Sequence, residues 1–402
     1  MKYWAGYLTA AIFAAFTWAL GRLGKSLSAL IDSFYPYVTR SLQAILAQWS
    51  GNVNFCLWQV VLLVLIVIVL ATIVLMIIFR WNPIRWFGWV LAVVSIGFFG
   101  HTLIWGLNYY ASPISEDIHL EVRDNTLEDM EKATIYYRDQ ANALAQMVNR
   151  DENGNVKFDS FETLAARAGD GFYNLTYVKK LPVFAGCRLP VKKLGWADMY
   201  SSMGITGVTM ALTGESAVNP QIPAVSLPFT MCHEMAHRMS IASERDANFS
   251  AFLACSENPD NQFRYSAYFM AYRYCYNALN AVGAQETSQA AARIRAEEND
   301  ELAGDMITYD EFFLNHQDKK ATKAAETIND TYLTTSGETE GTRSYDQVSD
   351  LLIDWYIQEI VMPSQQAEEV ERFDPTKVDL SETLPTEPSE EETGSTESSE
   401  GE

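Results

Sequence analysis

The sequence predicts an α-helical membrane anchor followed by a mostly α (α+β) domain with a small β element. Three observations predict it. Charge-free apolar runs long enough to cross a hydrocarbon core of about 30 Å crowd the N-terminal third. Beyond them helical periodicity dominates, most clearly over Thr126 to Val148, Phe161 to Ala168 and Val348 to Tyr356. One short stretch, Ile205 to Leu212, mixes β-branched and apolar residues between Gly204 and Gly214, and it suits a strand.

Residues 1–110 form the anchor, with three expected transmembrane helices. Leu57 to Phe79 has no charged residue, and Phe87 to Leu107 is polar only at Ser95, His101 and Thr102. Tyr3 to Leu20 is the third span; Lys2 precedes it as in a signal peptide, but no clear small-x-small cleavage site precedes Gly21. His101 lies near a span end, within reach of the headgroups, and receives no role. Tyr35 to Trp49 is expected to lie along the membrane surface as an amphipathic helix. Arg80 and Arg85 place the turn between the second and third spans in the cytoplasm, which puts the following domain outside a plasma membrane. Arg22, Lys25 and Arg40 in the first loop weigh against that orientation.

Residues 111–365 are enough for a domain of ordinary size. Residues 366–402 form an acidic tail that cannot bury enough apolar surface to fold. The net charge of −22 falls entirely outside the anchor, whose only acid before Glu116 is Asp32. That balance excludes nucleic acid as a partner of the domain. It leaves the bilayer, met through three spans, and a peptide or protein substrate.

The chemistry concentrates at His233-Glu234-Met235-Ala236-His237. Two imidazoles four residues apart share one helix face and can grip one metal ion, with zinc as the expected ion. Glu234, about 100° round the helix, can act on a water activated by the ion without ligating it. Ser226 and Pro228 mark the helix start, Ser226 as N-cap. A second helix is expected at Ser243, capped with Asp246 in a serine-to-acid box, which leaves Glu244 as third ligand and Asp246 as its rival. Asn248, one turn beyond Glu244, is expected to steady a ligand by a hydrogen bond from behind.

His233-Glu234-x-x-His237 followed by Glu244-x-x-Ala247-Asn248 resembles the gluzincin pattern of zinc metallopeptidases. Here the spacer is shorter and asparagine stands in place of the usual aspartate. The chain also resembles a family of uncharacterised bacterial membrane proteins with three N-terminal spans before an HExxH domain. Trp105 to Tyr110, Ser226 to Phe229, Glu244 to Phe249, Phe263 to Ser266, Asp330 to Leu333, Gly341 and Ser344-Tyr345 carry that resemblance. The resemblance implies a zincin-like catalytic domain and a membrane-anchored zinc metallopeptidase, a hydrolase with His233, His237 and Glu244 on zinc and Glu234 as general base. It further implies that the Ile205 to Leu212 strand is an edge above the HExxH helix, where an extended peptide can pair. A structural edge strand fits the same residues equally well.

A donor for the oxyanion is also expected, with Tyr345 first, then Tyr332 and His316. Tyr265, Tyr268, Tyr272 and Tyr276 recur at helical spacing and belong mostly to the core. Cys187, Cys232, Cys255 and Cys275 can pair as disulfides outside the cell, though Cys232 beside His233 suits a buried core position. Two rival readings remain: a membrane sensor or regulator that keeps the metal site with little proteolysis, and a purely structural zinc protein.

Overall fold

The computed structural model describes residues 4–337 and 347–365. Tyr345 and the acidic tail lie outside the described residues. Helices α1 (Ala5–Ser26), α3 (Leu57–Ile78) and α4 (Pro83–Ile104) are long and apolar enough to cross a membrane. Asn82 opens α4 by accepting from the Arg85 N–H, and Pro83 occupies a first-turn position where a missing N–H costs little. α1 packs on α4 at small residues. A Cβ on Gly6 would stand 2.5 Å from the Gly88 carbonyl carbon, so only glycine allows this approach. α3 buries only Trp58 and Gln59, at its start.

Between α1 and α3 the chain forms a continuous helix, α2 (Ser28–Ser50), longer than the expected Tyr35 to Trp49. Its amphipathicity works in an unusual direction. The polar side faces the domain: Arg40 donates to the Met239 and Pro182 carbonyls at 3.1 and 3.2 Å, and Gln43 donates to the Ala211 carbonyl at 3.0 Å. The exposed side carries Leu30, Phe34, Val38, Ile45 and Trp49, an apolar stripe at helical spacing. α2 is therefore built into the domain's underside, and Arg40 is a buried docking residue rather than a free loop charge.

After a short helix, α5 (Ile114–Asp117), the domain assembles around α6 (Leu127–Ala145), α7 (Phe161–Tyr173), α9 (Leu227–Arg238), α10 (Glu244–Ser256), α11 (Asn261–Ala281) and α15 (Val348–Tyr356). α12 (Gln285–Ala296) and α13 (Asp300–His316) flank this core; α14 (Lys319–Ser336) meets α8 (Ala197–Ser202) where Thr322 donates to the Ser202 carbonyl. α6 starts on a reciprocal cap, in which the Asp129 N–H reaches Thr126 Oγ1 at 3.2 Å and the Thr126 N–H reaches Asp129 Oδ2 at 3.0 Å. The core is aromatic: Phe252 meets Tyr137 edge-on at 5.6 Å and Trp355 at 5.0 Å. Tyr265 and Tyr272 are fully buried and hydrogen-bonded to Asp305 and Glu298, so these tyrosines are structural.

β1 (Lys192–Lys193), β2 (Gly207–Met210) and β3 (Glu215–Val218) form a sheet ordered β1-β3-β2. β2 pairs antiparallel with β3, setting Thr209 opposite Ser216; β1 is parallel to β3. The strand is shorter than Ile205 to Leu212 because both ends are drawn into turns. Ile205 donates to the Tyr200 carbonyl at 2.9 Å and Thr213 to the Met210 carbonyl at 3.1 Å.

One buried carboxylate ties the sheet to the membrane segment. Glu215 on β3 accepts from the Leu57 and Trp58 N–H groups at 2.7 and 2.9 Å, capping α3 across the fold. Lys192 on β1 neutralises it at 2.6 Å and also donates to the Ser50 and Phe55 carbonyls. At the same, turn end of the hairpin, Trp105, just past α4, clusters with Ala211 and Ala242. The β2–β3 hairpin thus contacts the near ends of two of the long apolar helices, α3 and α4.

All five cysteines are buried and unpaired by disulfides. Cys232 is a core residue, fully buried with its thiol 3.6 Å from the Ala168 carbonyl.

Candidate metal centre

α9 brings His233 and His237 onto one face, and the turn after it brings Glu244 back against them. The two Nε2 atoms lie 3.1 Å apart, and Glu244 Oε2 lies 3.2 Å from His233 Nε2 and 3.4 Å from His237 Nε2. Ligands about 2.0–2.1 Å from a tetrahedral ion stand roughly 3.3–3.4 Å from one another. The three donor atoms therefore already have the spacing of three corners of a zinc tetrahedron. Within the described residues, they form the only such group of three His, Cys, Asp or Glu side chains. Nε2 of His233 is the nitrogen that faces the triangle, and its Nδ1 is buried without a hydrogen-bond partner.

The turn that makes this possible passes through Ser240, whose φ of 72° lies in the left-handed region. It returns the Ile241 carbonyl to His237 Nδ1 at 2.8 Å, which fixes the ring and leaves Nε2 facing Glu244. Sequence reasoning missed this support, because a backbone carbonyl has no residue signature. Asn248 does not make the expected contact: its Oδ1 accepts from Tyr274 at 3.4 Å, and its Nδ2 is buried without a partner.

Two cap expectations also fail, and both failures matter for the site. Ser226 precedes α9 but turns its hydroxyl back to the Pro223 carbonyl at 3.0 Å, and Ser266 of α11 accepts from the Phe229 N–H instead. Ser243 makes no side-chain cap. Asp246, the rival ligand, is held away from the triangle by the Ile114 N–H at 3.1 Å and by Arg245 at 3.1 Å. Glu244 thus joins the histidines because Asp246 is committed to α5, not because Asp246 belongs to a cap.

Glu234 lies outside the triangle, beneath the open edge strand. Thr209 of β2 is 2.7 Å from Glu234 Oε2, and Ser216 of β3 donates to the Glu234 carbonyl at 2.7 Å. Gly207 is required above it, since a Cβ there would collide with the carboxylate. Burial pushes the Glu234 pKa up, while the two histidines and Thr209 pull it back. Burial lowers the His237 pKa, but the Glu244 charge outweighs it and raises the group to about 9. The same histidines hold Glu244 well below the usual carboxylate range, although its own burial opposes this.

These directions give a first expectation. Metal-free His237 is protonated at neutral pH and must lose that proton to ligate. Affinity for zinc should weaken as pH falls below about 9, by up to about tenfold per pH unit for this group. Zinc titrations of the full chain from pH 6 to 8 check this through the proton released in differently ionising buffers.

The oxyanion candidates separate clearly. Tyr345 lies outside the described residues. His316 ends α13, stacked on Phe312 at 4.3 Å, with Nδ1 directed at the Phe312 carbonyl. Tyr332, on α14, is half-buried. Burial raises its pKa, hydrogen bonds to Tyr109 and Ser336 lower it, and the Glu244 charge adds to the rise. Its hydroxyl is 3.0 Å from Nε2 of His101, so this span residue reaches the domain rather than the headgroups.

No curated protein and no solved structure matches the chain. A family of proteins of unknown function matches over residues 31–353, from within α2 to within α15. By that match, which covers most of its length, the chain belongs to the DUF3810 family of proteins of unknown function.

Proposed function

We propose that the protein is a membrane-anchored zinc-dependent peptidase. The observation that carries this reading is the buried triangle of His233, His237 and Glu244, with Glu234 placed outside it under an open strand edge. A structural zinc site closes with four protein ligands, whereas three ligands with a nearby base belong to hydrolytic centres. When bound, zinc polarises a carbonyl and lowers the pKa of water to about 7.

The chain's own residues supply the rest. β2 pairs on one side only within the described sheet, so a peptide can add to its other edge through backbone hydrogen bonds. That lays the scissile bond beside Glu234. Thr209 orients the Glu234 carboxylate, and its raised pKa suits an acceptor that takes a proton from water and returns it to the leaving amine. The domain stands on the side of the membrane reached by the end of α1, the start of α3 and the end of α4. With Arg80 and Arg85 at the opposite end, the charge rule makes that side extracytoplasmic.

The test is metal content. Full-length protein purified in detergent should hold about one zinc per chain and cleave a peptide library, and Glu244→Ala should lose both. Absence of zinc from the wild type sinks the proposal.

A further inference from the structure

His101 and Tyr332 meet at the last turn of α4, one turn before Trp105, which clusters with Ala242 between His237 and Glu244. Besides the 3.0 Å contact between Nε2 and the hydroxyl, their ring centroids are 5.8 Å apart. Tyr109 packs edge-on against the same phenol at 6.3 Å. One turn past His101, Trp105 touches Ala211, which follows β2, and Ala242, which lies between His237 and Glu244. The other end of α14 is fixed as well: the Asp318 N–H and the Thr322 hydroxyl donate to the Ser202 carbonyl at 3.0 and 3.1 Å. α14 is pinned at Ser202, upstream of β2, and at His101, beside β2's downstream end. About 15 Å of helix separates Thr322 from Tyr332, roughly the length of the strand itself. This strap holds the Tyr332 hydroxyl against His101.

A phenol has one hydrogen to give. Tyr109 and Ser336 also hydrogen-bond the phenol; if Tyr332 donates to His101 its hydrogen is used up, whereas if His101 donates from Nε2–H that hydrogen is not spent on His101. Resting on the peptidase reading, we propose that His101 is a positioning residue for the reaction. In its Nε2–H form it donates to the Tyr332 oxygen and turns the phenol hydrogen toward the oxyanion on the attacked carbonyl. A membrane span thereby completes the catalytic site. An ionisable residue near the end of an apolar span is costly, and this partnership accounts for it.

The experiment uses zinc-loaded full-length protein in detergent. The probe is a phosphonate tripeptide, whose tetrahedral anion has the shape of the attacked carbonyl, and peptide hydrolysis is followed alongside. Tyr332→Phe should weaken phosphonate binding and lower kcat by about 10²-fold, with KM and zinc content unchanged. His101→Phe should lose about tenfold or more of the same quantities, and His101→Gln, which retains an N–H donor, should recover most of it. The double variant His101→Phe/Tyr332→Phe should be no worse than Tyr332→Phe alone. An unaffected His101→Phe, full additivity in the double variant, or zinc-loaded wild type without phosphonate affinity overturns the proposal while leaving the metal centre standing. Wild type without zinc overturns both.

Discussion

Glu234→Gln should reduce peptide hydrolysis by about 10²–10⁴-fold while leaving zinc content unchanged. The two halves of that result have separate causes. Glutamine keeps the shape under Gly207 and an oxygen for Thr209, but it cannot take a proton. Zinc content survives because Glu234 is not one of the three atoms in the triangle. Its burial also fixes the sign of the pH dependence. Activity requires ionised Glu234, so it is present above the group's raised pKa and lost as pH falls through it. Burial draws the acid limb of kcat/KM upward and a bound zinc ion draws it downward, so its position reports the balance of the two. Rates equal to wild type in Glu234→Gln would reject the assignment of the base.

Glu215→Gln should destabilise the domain by about 3–5 kcal/mol, since it strands a buried lysine charge. Glu215 is fully enclosed and faces Lys192 at 2.6 Å, while two α3 N–H groups depend on its oxygens. Glutamine keeps only one acceptor oxygen, so the loss combines the charge pairing with one α3 N–H left facing an NH2. Adding Lys192→Met removes the unpaired charge and should recover part of the loss, the Ser50 and Phe55 carbonyls then lacking their donor. Denaturant unfolding in detergent checks both values, and a loss below about 1 kcal/mol would show that the pair is relaxed by water.

This pairing also bears on how the protein should be handled. α2 buries Arg40 against Met239 and Pro182, and Glu215 caps α3. A fragment beginning after the spans would remove His101, Arg40 and the α3 amides together. The full chain is the working unit.

Much of the candidate site is legible in the sequence. His233, Glu234 and His237 announce themselves by helical spacing, and the spans by the absence of charge, because both signals are local. Glu244 is a different case. Local capping points to it, yet the cap that would absorb Asp246 does not form, and α5 claims that carboxylate instead. The Ile205 to Leu212 strand is legible in kind but not in extent, since its ends answer to the Tyr200 and Met210 carbonyls.

The amino-acid order by itself determined what repeats within a few residues: the apolar helices, the amphipathic helix and the HExxH face. Only the tertiary structure decided which distant groups meet. Ile241 orients His237, Thr209 holds Glu234, Glu215 caps a span 158 residues away, and His101 reaches Tyr332 across 231 residues. Such contacts leave no local pattern, because each partner is chosen by packing that closes only when the whole core is in place.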